Sequence, residues 1–174
     1  MYCKEDNLTL RNATIEDAKL FFQWWNDGKV MAHAGFPLGL GITNEQIVED
    51  LSRDNDSSGE LFILEVDGIA VGEMNYSNIG NQTAEIGIKI CNPEYQEKGH
   101  GKRFLRILVH SLFSELGYEK VVLDTNLKNE RAQHVYEGIG FRKVAVHIDA
   151  WKDQLGELQS TIDYEMNRNE LTNF

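Results

Sequence analysis

The sequence predicts an α+β sandwich built on a mixed sheet, and three observations predict it. Helical patterns occupy the first third of the chain. Three alternating segments divided by Asp67-Gly68 and Gly80-Asn81 then read as a meander of antiparallel strands. From there to the end, helical and strand periods alternate as β-α-β-α-β-β. At 174 residues, with no internal repeat, low-complexity tract or linker, residues 1–174 read as one domain.

In chain order, Leu8-Thr9-Leu10-Arg11 alternates like a short strand. Thr14, with Asp17 three residues on, forms a capping signal for a helix carrying Ile15, Ala18, Phe21, Phe22 and Trp25, which Asn26-Asp27-Gly28 ends. After a glycine-containing segment from Ala32 to Gly41, Thr43 and Gln46 form a second capping box. It opens a helix with Ile47 and Leu51 that the polar run Arg53 to Gly59 closes. Leu61–Val66, Ile69–Tyr76 and Thr83–Ile90 are the meander; Ile86, Ile88 and Ile90 share one face of the last strand, Glu85, Gly87 and Lys89 the other. Phe104, Leu105, Leu108, Val109, Leu112, Phe113 and Leu116 repeat with helical spacing until Gly117. Lys120–Asp124 is a strand, Asn129 to about Gly138 a helix, and Phe141–Ile148 and Thr161–Met166 are closing strands.

Composition excludes several function classes. Apolar residues are 41% and charged residues 26%, as in ordinary globular domains. A net charge of −11 argues against nucleic-acid binding, which needs a dense basic surface, and suits a cationic partner or simply a solvated surface. Two cysteines, Cys3 near an end expected to fray and Cys91 after an apolar run, offer no disulfide framework, and the five histidines show no metal-ligand spacing, so no metal is expected. No basic segment followed by an apolar run opens the chain and no stretch is long enough to span a bilayer; the expectation is a cytoplasmic protein without membrane contact.

The stretch with most chemical content is Gln96-Glu97-Lys98-Gly99-His100-Gly101-Lys102-Arg103, between a strand and a helix. A glycine turn at a helix N-terminus presents unpaired N–H groups and the positive end of the helix dipole, which together attract anions. Lys98, Lys102, Arg103 and Arg106 would be unfavourable there, by about 0.3 to 1 kcal/mol each, with nothing negative opposite. A P-loop fails on spacing, since Gln96 and Arg103 stand where glycine and Ser/Thr are required. A dinucleotide fingerprint fails because Phe104 replaces its third glycine and the preceding strands form a meander.

What remains, Gln-x-x-Gly-x-Gly at Gln96, Gly99 and Gly101, resembles the acyl-CoA loop of the GNAT superfamily of N-acetyltransferases. Ile88 to Tyr95 resembles the strand and loop leading into that site. Asn129, Ala132, Tyr136 and Gly140-Phe141 resemble the second signature of the family. Phe21–Asp27 followed by Val30-Met31 is similar to the branch holding ribosomal-protein N-terminal and spermidine acetyltransferases. The resemblance implies a GNAT-like mixed, mostly antiparallel central sheet flanked by helices, a three-layer α/β/α sandwich. It implies acetyl-CoA as cosubstrate and a primary amine as acceptor, whether a peptide N-terminus, a polyamine or another small amine, attacked directly in a ternary complex. Dimers are common in the superfamily, so a homodimer is among the implied states.

Residue roles follow from the same resemblance. Ile88 and Ile90 would offer backbone groups to pantetheine, besides being core. The N–H groups of Gln96, Glu97, Lys98, Gly99, His100 and Gly101 would hold the pyrophosphate, with Lys102 and Arg103 adding charge or forming a solvated helix face. Asn129 reads as a helix N-cap in its own right, and the resemblance adds CoA contact for it and for Ala132. Tyr136 reads as core by spacing; the resemblance makes it the proton donor to the departing thiolate. Neutralising an amine of pKa ~10.4 costs about 4.6 kcal/mol at pH 7, so a base or a water chain must help. Glu85 is the first candidate, Glu73 the second. A route through an acetylated Cys91 is set aside because direct attack is the usual family route. Trp24, Trp25 and Phe36 are core residues or acceptor-pocket walls, and acceptor choice is expected to lie in 32–41 and 151–156. The alternative function is an acyl-CoA-binding regulatory module without turnover.

Overall fold

In the computed structural model, which describes residues 1–52 and 59–171, an eight-stranded sheet runs through the molecule. The strands are β1 (Tyr2–Glu5), β2 (Leu8–Asn12), β3 (Gly59–Val66), β4 (Ile69–Asn78), β5 (Thr83–Ile90), β6 (Lys120–Asn126), β7 (Arg142–Lys152) and β8 (Leu158–Asn167). Their order is β1-β2-β3-β4-β5-β6-β8-β7, antiparallel throughout except for the β5–β6 pair. The helices are α1 (Ala18–Trp25), α2 (Gly28–Met31), α3 (Asn44–Ser52), α4 (His100–Ser114) and α5 (Glu130–Glu137).

Alternation along the strands gives the sheet two apolar faces. Phe62 and Leu64 join Leu8, Leu10, Met74, Ile86 and Val121 on the face that α4 covers with Phe104, Leu105, Leu108 and Leu112. Ile63, between Phe62 and Leu64, points to the other face, where Ala18, Phe21 and Trp24 of α1 and Ile47 of α3 pack. Helices on both sides of one mixed sheet are the three layers predicted. Both capping boxes form. Thr14–Asp17 caps a short 3-10 turn leading into α1, and Thr43 N–H donates to Gln46 Oε1 (2.8 Å) while Gln46 N–H donates to Thr43 Oγ1 (3.2 Å) before α3.

Three segments differ from expectation. Tyr2–Glu5 is not frayed: it pairs with β2 through a turn in which Asp6 has φ 53°. The strand is exposed except at Cys3, so it lacks the apolar alternation that would have marked it. The closing hairpin is longer than read, with β7 reaching Lys152 and β8 starting at Leu158. Here β7 is an exposed edge on which Val144, Val146 and Ile148 keep a period of two, and the register shift between His147 and Trp151 breaks that alternation before the strand pairs again. The polar run expected to close α3, residues 53–58, lies outside the described residues; Gly59 itself begins β3.

Candidate active site

The sheet has one seam that opens. β5 and β6 share only the rungs Thr83–Lys120, Ala84–Val121 and Glu85–Val122, after which they part. Residues 86–90 of β5 and 124–126 of β6 then face a cavity of about 610 Å³. Its remaining walls include residues 95–97 and 99–102, Asn129, Ala132 and Tyr136, and, from other parts of the chain, Lys29, His33 and Trp151. This is a crevice at the carboxyl end of a parallel strand pair, where open α/β sheets place ligands.

The 92–101 loop is held by its own side chains. Asn92 accepts from Glu94 N–H (3.0 Å), and Gln96 Nε2 donates to the Ile90 carbonyl (2.8 Å), tying the loop to the end of β5. Glu97 and Gly99 both take left-handed backbone, φ 61° and 80°, so the chain reverses just before α4. Glycine at 99 answers this conformation rather than crowding, because a Cβ there would meet nothing within 4 Å. That open cradle, with the free N–H groups of the first turn of α4, fits the diphosphate of an acyl-CoA. His100 Nδ1 is buried without a hydrogen-bond partner among the described residues. Burial first, then Arg103 and Lys98, lower its pKa, so the ring is neutral at pH 7.

The loop's cations divide. Lys102 lines the cavity. Lys98 stands over the Tyr95 ring (5.5 Å) and does not line it, whereas Arg131 of α5 lines it while pairing with Glu97 (3.3 Å). Arg103 turns to the β1–β2 turn, pairing with Asp6 (2.9 Å) and Glu5 (3.6 Å), which is neither of the two uses the sequence offered for it, phosphate charge or a solvated helix face.

Asn129 caps α5, its side chain accepting from Ala132 N–H (3.2 Å), as the sequence predicted. One turn on, Tyr136 is buried between Phe141 and Tyr164 and lines the cavity. Burial, with a smaller effect from the charge of Asp124, pushes the Tyr136 pKa up to about 12, so the phenol keeps its proton. Asp124 is the residue that sequence reasoning missed. It sits two residues past the last β5–β6 rung, and burial of its carboxylate and then Asp163, its cross-strand neighbour on β8, raise its pKa. The residue as a whole is nonetheless solvent-exposed. The signal that could have found it is its place at the carboxyl end of the parallel pair.

Other predicted residues fall elsewhere. Glu85 is exposed on the last shared rung and does not reach the large cavity. It lines a separate hollow of about 290 Å³ with Asp124, Asp163 and Glu165. Asp124 borders both spaces. Glu73 is buried and engaged, accepting from Trp25 Nε1 (2.8 Å) and Lys89 Nζ (2.8 Å). Cys91 is buried outside the cavity, and burial followed by Glu73 drives its thiol pKa well up. Such a group is a poor nucleophile. Trp24 is core, Trp25 serves Glu73, and Phe36 is exposed; none lines the cavity. Among the described residues no helix is long and apolar enough to cross a membrane.

Comparison with known proteins bears on the same elements. Residues 7–142 match the family described as Acetyltransferase (GNAT) domain. Spermidine N(1)-acetyltransferase of Escherichia coli (strain K12) is 35% identical over 89 residues, 50% of this chain and 47% of that protein. The chain thus spans about half the length of the curated relatives it matches first. A solved structure described as a probable acetyltransferase superposes with TM-score 0.81 at 26% identity, covering 98% of both chains. Spermidine N-acetyltransferase from Vibrio cholerae, solved in complex with CoA and spermine, superposes with TM-score 0.87 at 21% identity, covering 97% of this chain and 100% of that one; at that identity the likeness speaks for the fold.

Proposed function

Since the chain belongs to the GNAT acetyltransferase family, we propose that it transfers the acetyl group of acetyl-CoA to a primary amine by direct attack in a ternary complex. The observation that carries this reading is a single cavity running from the open cradle before α4, through the parted β5 and β6, to Tyr136 and Asp124. Bound acetyl-CoA supplies an activated acyl group and a thiolate that must be protonated as it leaves.

The chain's own residues supply the rest. The Gln96 N–H, expected among the phosphate donors, is spent on the Pro93 carbonyl (3.2 Å), so N–H groups from Glu97 to Gly101 and Lys102 hold the phosphates, while the unpaired edge of β5 past Glu85, at Ile88 and Ile90, lies beside the pantetheine path. Ala132 and Asn129 line the cavity on the α5 side. Tyr136 Oη, protonated at neutral pH, donates to the sulfur. Asp124, whose raised pKa makes it a better proton acceptor than an ordinary aspartate, takes the amine proton. Glu85 across the adjoining hollow is the second base, reached through water. The named relatives favour a small amine such as a polyamine over a peptide N-terminus.

The test is acetyl-CoA binding by calorimetry, then release of CoA thiol with spermidine, free amino acids, aminoglycosides and short peptides. Binding with release on one class is the expected result. Tyr136→Phe should then lower kcat about 100-fold with acetyl-CoA affinity unchanged. Binding without release would leave only an acyl-CoA-binding module, and no binding would overturn the site.

A further inference from the structure

The 32–41 loop and the β7–β8 turn lie more than a hundred residues apart, and one side chain fastens them. Leu38 N–H donates to Gln154 Oε1 (2.9 Å), and Gln154 Nε2 donates to the Gly39 carbonyl (2.9 Å). The backbone N–H of Gln154 donates to the Gly35 carbonyl (2.9 Å). A carboxamide is suited to this place because it accepts and donates at once; a carboxylate could only accept. Beside it, a Cβ on Gly35 would come within 2.4 Å of Trp151 Cζ3, so the missing side chain lets the indole lie against the loop backbone. Trp151 lines the cavity, and so do His33 and Ala34 at the start of the fastened loop.

The position of this wall assigns it a side of the cavity. The cradle for phosphates is tied to β5 and α5 through Gln96–Ile90 and Glu97–Arg131. The fastened wall instead adjoins β6 and β8, where Asn126 donates to Gln159 (2.9 Å), the register partner of Trp151. What it can meet is the acceptor.

We propose that Gln154 is a positioning residue that holds Trp151 and His33 as a preformed wall at the acceptor end, so that acceptors are selected by fit against a fixed surface. No loop need close around them. The inference rests on reading the cavity as the acetyl-transfer site. A wall ordered in advance spares the acceptor the cost of ordering it, and that saving appears in acceptor affinity.

The experiment compares wild type, Gln154→Ala, Gln154→Glu and Gly35→Ala, using the best amine from the panel above. Gln154→Ala should raise the acceptor KM about tenfold, leaving kcat within about threefold and acetyl-CoA affinity unchanged, while the Leu38 amide exchanges faster with solvent. Gln154→Glu keeps one of the two side-chain bonds and should fall between. Gly35→Ala keeps the Gln154 side chain but crowds Trp151 and strains the backbone at φ 93°, and it should reorder the preferred amines. Faster Leu38 exchange with an unchanged acceptor KM would overturn the proposal, as would an equal loss of acetyl-CoA affinity, which would mark general damage. A wild-type protein that binds acetyl-CoA but acetylates no amine would overturn the reading of the cavity, and this inference with it.

Discussion

At the scale of single residues, two strands bring a pair of carboxylates together beside the cavity. Asp124 on β6 and Asp163 on β8 are direct cross-strand partners, and burial first, then the like charge of Asp163, raise the Asp124 pKa. If Asp124 takes the amine proton, it must be ionised to act, so activity falls as pH drops through its raised pKa. Asp163→Asn removes the repulsion, lowers that pKa and should carry activity to lower pH. Asp124→Asn should remove this acid limb and cost about 100-fold in kcat/KM, while Glu85→Gln leaves the limb in place. Profiles of kcat/KM against pH with one amine, whose own titration is then common to all variants, check this. A limb that follows Glu85→Gln instead would return the base to β5.

At the scale of elements, the cradle before α4 depends on one backbone conformation. Gly99 has φ 80° and empty space beside it, so Gly99→Val both strains the left-handed turn, by about 1–3 kcal/mol, and fills the place of the diphosphate. Gly101 is helical, and a Cβ there would touch Ile90 Cγ1 and Ile88 Cδ1 at 3.8 and 3.9 Å, ordinary contact. Gly99→Val should therefore weaken acetyl-CoA binding at least tenfold by calorimetry, whereas Gly101→Ala keeps the fold and raises helix stability by about 0.5–1 kcal/mol. Equal effects would show that crowding, not backbone hand, governs the loop. This cradle was legible in the sequence because glycine spacing and a helix start are local signals, as were both capping boxes and the Asn129 cap. The stretch 151–156 was singled out as a region, but the particular contacts of Trp151 and Gln154 were not legible, and neither was Asp124, since they depend on which strands part and which distant loops meet. The β1 strand escaped notice because an exposed edge needs no apolar period, and the closing hairpin was read short because the bulge after His147 breaks the alternation of β7.

At the scale of the whole molecule, buried carboxylates tie the helical layer of α1 and α3 to the sheet. Glu73 on β4 joins Trp25 of α1 to Lys89 of β5, and Asp17, just before α1, binds Arg11 of β2 through both oxygens at 2.8 Å. Burial alone would raise the Asp17 pKa, but Arg11 and the Thr14 N–H overcome it and hold the group below its ordinary 3.8. A carboxylate with a depressed folded pKa contributes stability that is fully present above the unfolded value. That stability is lost as pH falls from about 3.8 through the lower folded pKa. Arg11 keeps partial contact with water, so the loss in Asp17→Asn is set at about 2 kcal/mol at pH 7, or about 4–8 °C in Tm for a chain of this size. Thermal melts of wild type and Asp17→Asn should differ by that amount at pH 7 and converge as pH drops below 3.8. A gap that stays constant down to pH 3 would mean that the mutation acts through packing at the start of α1, with the ion pair contributing nothing to the joint between layers.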